Sequence, residues 1–188
     1  MEIKSQYQSV KMNEFINQLP NLTTKKVKKG TILVHQGEQC RYAYHVVKGC
    51  LKSYVIGKDD KEHIVQFAPE NWLITDMDSF INNSKSIVYI NAIEDSEVQL
   101  LTQPSAKDIE ALSKTALVEQ MRRMQNNIIA NNKRLIHLLS STAEERYLEF
   151  IETYPSLMQR LPLKLIASYL GITPEFLSRI RKHLAEKK

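Results

Sequence analysis

Leu161-Pro162-Leu163-Lys164-Leu165-Ile166-Ala167-Ser168-Tyr169-Leu170-Gly171-Ile172-Thr173-Pro174-Glu175-Phe176-Leu177-Ser178-Arg179-Ile180-Arg181-Lys182-His183-Leu184 divides around its one glycine into two amphipathic helices. In the first, Leu163, Ile166, Ala167 and Leu170 recur at i, i+3, i+4 and i+7 and share a face. Gly171 supplies a left-handed residue to end it. Thr173 is placed to cap the second helix, and Pro174 to occupy its first position, where a missing N–H costs nothing. Measured from Glu175 at about 100° per residue, Phe176, Leu177, Ile180 and Leu184 fall at about 100°, 200°, 140° and 180°. On the same scale Glu175, Ser178, Arg179 and Lys182 fall at about 0°, 300°, 40° and 340°. One face is apolar, the other polar and basic, and the small Ala167 lets the two helices cross steeply. The pattern predicts a helix-turn-helix.

The outer face of the second helix has the chemistry of a duplex reader. Arg179 can bridge O6 and N7 of guanine, and Glu175 can accept from the N4 amine of cytosine. Ser178, Arg181 and Lys182 can hold phosphates, and the helix start, with Thr173, favours another. The alternative is a helical hairpin that only packs. Charge points the same way as the motif. Residues 1–100 carry 12 basic and 12 acidic side chains, and residues 101–188 carry 14 and 9, so the net charge of +5 lies wholly in the second half. Double-stranded DNA is the expected partner.

Upstream, a long helix is expected from about Thr115 to Leu139. Leu117, Met121, Met124, Ile128, Asn131, Leu135 and Leu138 follow the alternating 4 and 3 spacing of a heptad seam. Asn131 within it favours a fixed register and a dimer. The alternative is a helix packed on its own β domain. Thr142 and Glu145 fit a capping box for a helix from Ala143 to about Thr153, ended by Tyr154-Pro155.

Residues 27–101 have another texture. Lys29-Gly30, Gly37-Glu38, Lys48-Gly49, Gly57-Lys58-Asp59-Asp60, Pro69-Glu70-Asn71 and Asn82-Asn83-Ser84 mark turns. Between them lie short β-prone runs at 31–34, 42–47, 51–56, 63–67, 87–92 and 97–101. Many short strands with glycine-containing turns predict a β-sandwich or jelly roll, with a hairpin tip at 57–61 and glycines in positive-φ turns. Ser105 is placed to cap a short helix over 106–113. Residues 1–20 read as a short helical lead-in ended by Pro20. The expected class is α+β: a jelly-roll domain over 1–113, a dimerisation helix over 114–140, and a helix-turn-helix domain over 141–188.

Composition excludes several classes. A chain of 188 residues with 43% apolar content is globular, not disordered or fibrous. No apolar run approaches the roughly 20 residues of a membrane span, and the polar start lacks a signal core. Cys40 and Cys50 are too few for a disulfide scaffold or a four-thiolate metal site, so the cytoplasm is the expected compartment.

The stretch from Leu165 to Arg181 resembles the helix-turn-helix of Crp/Fnr transcription regulators. The Gly30, Gly37-Glu38 and Lys48-Gly49 spacing is similar to their cyclic-nucleotide-binding-type jelly roll, and the heptad helix sits where that family dimerises. Phe67-Ala68-Pro69, Trp72 to Asp76, Ala92 to Val98 and Thr142 to Tyr147 further resemble the Bacteroidetes-type branch. The resemblance covers about residues 20–188. It implies a homodimer on a palindromic operator, with an effector in the β domain repositioning the two reading helices. RNA polymerase is a further candidate partner. Its glutamate and arginine readers match Glu175 and Arg179, while Pro174 replaces a first arginine reader, so one base contact is absent. The segment from Pro155 to Leu161 is too short for the family's β-wing.

The family's cyclic-nucleotide sites use a Gly-Glu pair for ribose and an Arg-Ser or Arg-Thr pair for phosphate. Here the candidate pocket residues are Thr75, Asp76, Lys85 and Ser86, and no arginine occurs between Arg41 and Arg122. Asp76 and Asp78 repel a phosphate unless turned away, and Lys85 cannot give arginine's bidentate clamp. Cyclic AMP is therefore not expected as effector, and no cofactor is assigned. Two cysteines alone cannot hold an iron–sulfur cluster, no haem motif surrounds His35, His45, His63 or Cys40, and a Cys40–Cys50 redox switch is only weakly supported. An enzyme of the metal-dependent cupin type needs a close His-x-His pair, which is lacking. The remaining alternative is a small-molecule-binding module acting through protein partners.

Overall fold

Short strands with one apolar face gain stability only by pairing across the chain and covering that face. The computed structural model describes residues 22–187. The lead-in helix expected over residues 1–20 lies outside the described residues. Among the described residues eight strands form: β1 (Thr23–Val27), β2 (Ile32–Val34), β3 (Ala43–Lys48), β4 (Leu51–Ile56), β5 (Glu62–Ala68), β6 (Leu73–Ile74), β7 (Tyr89–Ala92) and β8 (Ser96–Leu101). They make two four-stranded sheets in the orders β1-β8-β3-β6 and β2-β7-β4-β5. One buried cluster draws on both sheets, with Val27, Tyr44, Val46, Ile74 and Val98 from the first and Val34, Leu51 and Ile90 from the second. This is the expected jelly roll. All six β-prone runs became strands. β1 was not anticipated, because its Thr-Thr-Lys-Lys-Val sequence is exposed over the first four residues and reads as a loop.

Among the described residues six helices accompany the sheets: α1 (Met77–Asn82), α2 (Ala106–Ala111), α3 (Lys114–Ser140), α4 (Ala143–Thr153), α5 (Leu163–Leu170) and α6 (Pro174–Glu186). Ser105 and Asp108 cap α2 reciprocally, and Thr142 and Glu145 do the same for α4. The chain divides into two compact units. Of the described residues, one holds 22–55 with 65–122, and the other holds 56–64 with 123–187.

In the second unit, Phe150, Tyr154, Leu157, Leu161, Ile166, Ala167, Leu170, Leu177 and Ile180 are buried around the crossing of α5 and α6. Gly171 takes φ 69° and ends α5. Arg146 of α4 ties the turn down, donating from Nε to the Leu170 carbonyl at 3.0 Å and from Nη1 to the Ser141 carbonyl at 2.7 Å. Between Thr153 and Leu163 lies only a 3-10 turn, Pro155–Leu157, and no strand. The wing expected to be missing is absent among the described residues.

The 57–61 hairpin tip forms, with two departures from expectation. The left-handed position falls on Asp60 (φ 57°), not on Gly57. Gly57 serves close approach instead: a Cβ there would lie 2.5 Å from Nε2 of His63. The tip, expected within the β domain, groups with the C-terminal unit. Ser168 of α5 accepts from the Ile64 N–H at 3.1 Å and donates to the Glu62 carbonyl. Arg134 of α3 donates to the Ile64 carbonyl at 3.0 Å while its guanidinium lies 4.1 Å over the Tyr169 ring.

Candidate nucleic-acid interface

Local rules place the reading helix. The Thr173 hydroxyl accepts from the Phe176 N–H at 3.2 Å, and Pro174 occupies the first turn. Leu177 and Ile180 are buried and Leu184 is half-buried, which fixes the rotation of α6 and turns Glu175, Arg179, Arg181 and Lys182 outward. The Glu175 carboxyl is held below its usual range by its own backbone N–H, then by the Thr173 hydroxyl and by the Arg179 charge. It stays an ionised acceptor, as a cytosine contact requires. Lys182 lies 3.9 Å from Glu186, an exposed pair of little energetic weight that leaves the ammonium free to exchange onto a phosphate.

Two predicted contacts are altered. Thr173 spends its hydroxyl on capping α6 and on Glu175, so its role is to shape the helix start. Ser178 donates to the Pro174 carbonyl at 3.0 Å and keeps only lone pairs for an outside donor. Phe176 is a further correction. Placed on the apolar face by the wheel, it is 41% exposed, and the Arg179 guanidinium sits 5.3 Å over its ring. At about 100° it lies on the boundary between the two faces, where burial depends on the neighbouring helix.

The heptad helix carries a second surface. Leu117, Met121, Met124, Ile128, Leu135 and Leu138 of the seam are all exposed, with Ile128 at 59%, and Asn131 is exposed with them. Val118, Ile129, Ile136 and Leu139 widen the strip.

The candidate pocket residues gather near α1, largely satisfied by one another. Asp76 is buried, caps α1 by accepting from the Ser79 N–H at 3.2 Å, and accepts from the Ser86 hydroxyl at 2.9 Å and the Ile87 N–H at 3.0 Å. Thr75 donates to the Tyr42 carbonyl at 3.2 Å. Lys85 is exposed, with its backbone bridged to Gln39. Asp78 lies at the surface, its carboxyl held below the usual range by Ser84 and Asn82. Cys40 and Cys50 are buried free thiols. His45 is buried on β3 against Gln99, His35 lies edge-on to Tyr89, and His63 sits on the hairpin tip beside Asp59. No three of His, Cys, Asp and Glu converge on a metal-sized site among the described residues.

Comparison with known proteins agrees with both halves of the chain. The cyclic nucleotide-binding domain family matches residues 24–113. The regulatory protein HlyX of Actinobacillus pleuropneumoniae is 27% identical over 180 residues, covering 88% of this chain and 73% of that protein. The fumarate and nitrate reduction regulatory protein of Yersinia pestis is 27% identical over 180 residues, covering 88% and 70%. FixK2 from Bradyrhizobium japonicum shares the fold, with a TM-score of 0.72 at 20% identity over 89% of this chain and 86% of that one. Among the described residues no helix is long and apolar enough to cross a membrane. Residues 24–113 thus match the cyclic nucleotide-binding domain family, and over 88% of its length the chain is similar to regulatory proteins of the Crp/Fnr type.

Proposed function

We propose that two copies of this chain pair through the α3 seam and read a palindromic duplex with their α6 helices, acting in the cytoplasm as a transcription regulator and not as an enzyme. The observation that carries this is the outer face of α6. Glu175, Arg179, Arg181 and Lys182 stand exposed on the helix whose opposite side is buried against α5. Glu175 and Arg179 choose bases, Arg181 and Lys182 hold phosphates, and Thr173 and Ser178 support the helix start. RNA polymerase is the further partner such a regulator engages. The similarity to regulatory proteins supports this reading over a module that acts only through protein partners.

The test is a gel-shift series on a duplex enriched by the wild-type protein from a random pool. Arg179→Ala loses discrimination at one guanine per half-site by about 1–3 kcal/mol. Lys182→Ala weakens binding evenly across sequences and flattens the dependence on log salt by about one unit. Wild-type behaviour of both variants removes α6 from the interface.

The sensor domain does not use cyclic AMP as its effector. The Asp76 carboxyl is consumed inside the fold, and no arginine from residue 42 to 121 can clamp a cyclic phosphate. Calorimetric titration with cyclic AMP or cyclic GMP therefore shows no micromolar binding. A micromolar isotherm with either overturns this assignment.

A further inference from the structure

We propose that Phe176 is a specificity-determining residue that reads the 5-methyl group of a thymine in the major groove, next to the guanine read by Arg179. This rests on α6 being the reading helix. A single exposed apolar side chain is ordinary on a protein surface. The position of this one is not. Phe176 follows Glu175 directly and precedes Arg179 by three residues, so it flanks Arg179 at the edge of the polar face, on the N-terminal half of α6. That is the part of a reading helix that approaches base edges.

The chemistry then narrows to one base. In the major groove guanine, adenine and cytosine present only donors and acceptors, while thymine adds a methyl group. A phenyl ring can pair with no donor or acceptor there, and it gains by covering the methyl. The ring also positions its neighbour. With the Arg179 guanidinium 5.3 Å over the ring, that side chain is braced by a cation–π contact. Its N–H groups meet no acceptor among the described residues. The side chain is thereby held ready for guanine while the exposed part of the ring faces the adjacent base pair.

Selection of duplexes from a random pool by the full-length wild type is the experiment, followed by affinity measurements on the enriched duplex. A thymine is expected within two base pairs of the guanine whose preference Arg179→Ala abolishes. Replacing that thymine by uracil, which removes only the methyl, weakens wild-type binding about four-fold per half-site and about 15-fold in both, the cost of one buried methyl each. Phe176→Ala loses the thymine preference and the uracil penalty together and weakens the guanine preference of Arg179, which loses its brace, while the remaining preferences stay. The uracil arm uses unaltered protein, so a folding defect in the variant cannot mimic the result. If uracil is tolerated at every thymine of the motif, or if Phe176→Ala keeps the same uracil penalty, Phe176 does not read the methyl although α6 still reads DNA. If the wild type enriches no motif, the assignment of α6 itself falls.

Discussion

A chain carrying Ile128→Asp and Leu135→Asp sediments as a monomer and loses at least 100-fold in affinity for a two-half-site duplex. Both side chains are exposed in the single chain, at 59% and 56%, so the substitutions remove nothing from its own core. In a dimer they sit in the seam on both copies. Four apolar side chains then leave the interface, each worth about 1.5–3 kcal/mol when fully buried. Facing carboxylates in successive heptads add repulsion. The summed loss is about 6–12 kcal/mol before that repulsion, or at least four decades in dimer affinity at about 1.4 kcal/mol per decade. A monomer holds one half-site and forfeits the effective concentration that linkage gives the second. Far-UV circular dichroism of the variant matches the wild type, since α3 keeps its helix-forming residues. An unchanged dimer would place the interface elsewhere on the molecule.

Asp76→Ala is the second variant with a large effect, and it acts on stability. The carboxyl gathers the Ser79 N–H, the Ser86 hydroxyl and the Ile87 N–H in a buried position. Alanine removes the acceptor and leaves these donors without it, at about 1–3 kcal/mol for each buried donor that finds no other partner. Allowing for partial relaxation, about 3–5 kcal/mol is expected, which lowers the melting temperature by 10 °C or more. Asp76→Asn loses less, because its amide oxygen still accepts. Denaturant titration of the three proteins gives the order wild type, Asn, Ala. Were Asp76 instead held open for an effector, alanine would leave the midpoint in place and change only the response to ligand.

The capping devices were legible because each depends on residues within four positions of the helix end. Ser105, Thr142 with Glu145, and Thr173 with Pro174 all sit where they were expected, and Asp108 completes the Ser105 cap unannounced. Gly171 belongs with them, since only a residue that tolerates positive φ ends α5 and turns the chain into α6 in so few steps. The heptad seam was legible for the same reason: a period of 3.5 residues is a property of the chain before it folds.

What escaped the sequence depends on distant partners. β1 exists because Thr23–Val27 pairs with Ser96–Leu100, a strand some 70 residues away, and its lysines carry no sign of that. The hairpin tip joins the C-terminal unit through Ser168, 104 residues from Ile64. Asp76 looked like a charge beside a phosphate pocket and is instead a buried cap for α1, because Ser86 and Ile87 fold back onto it. By itself, then, the sequence determined the helices from Ser105 onward, their ends, the β-prone runs, the heptad pattern and the basic face, all set by short-range sterics and periodicity, while α1 was not read from it. Tertiary structure decided which polar groups are spent inside and which stand outward, Phe176 among the latter, because burial is a property of neighbours that only the folded chain supplies.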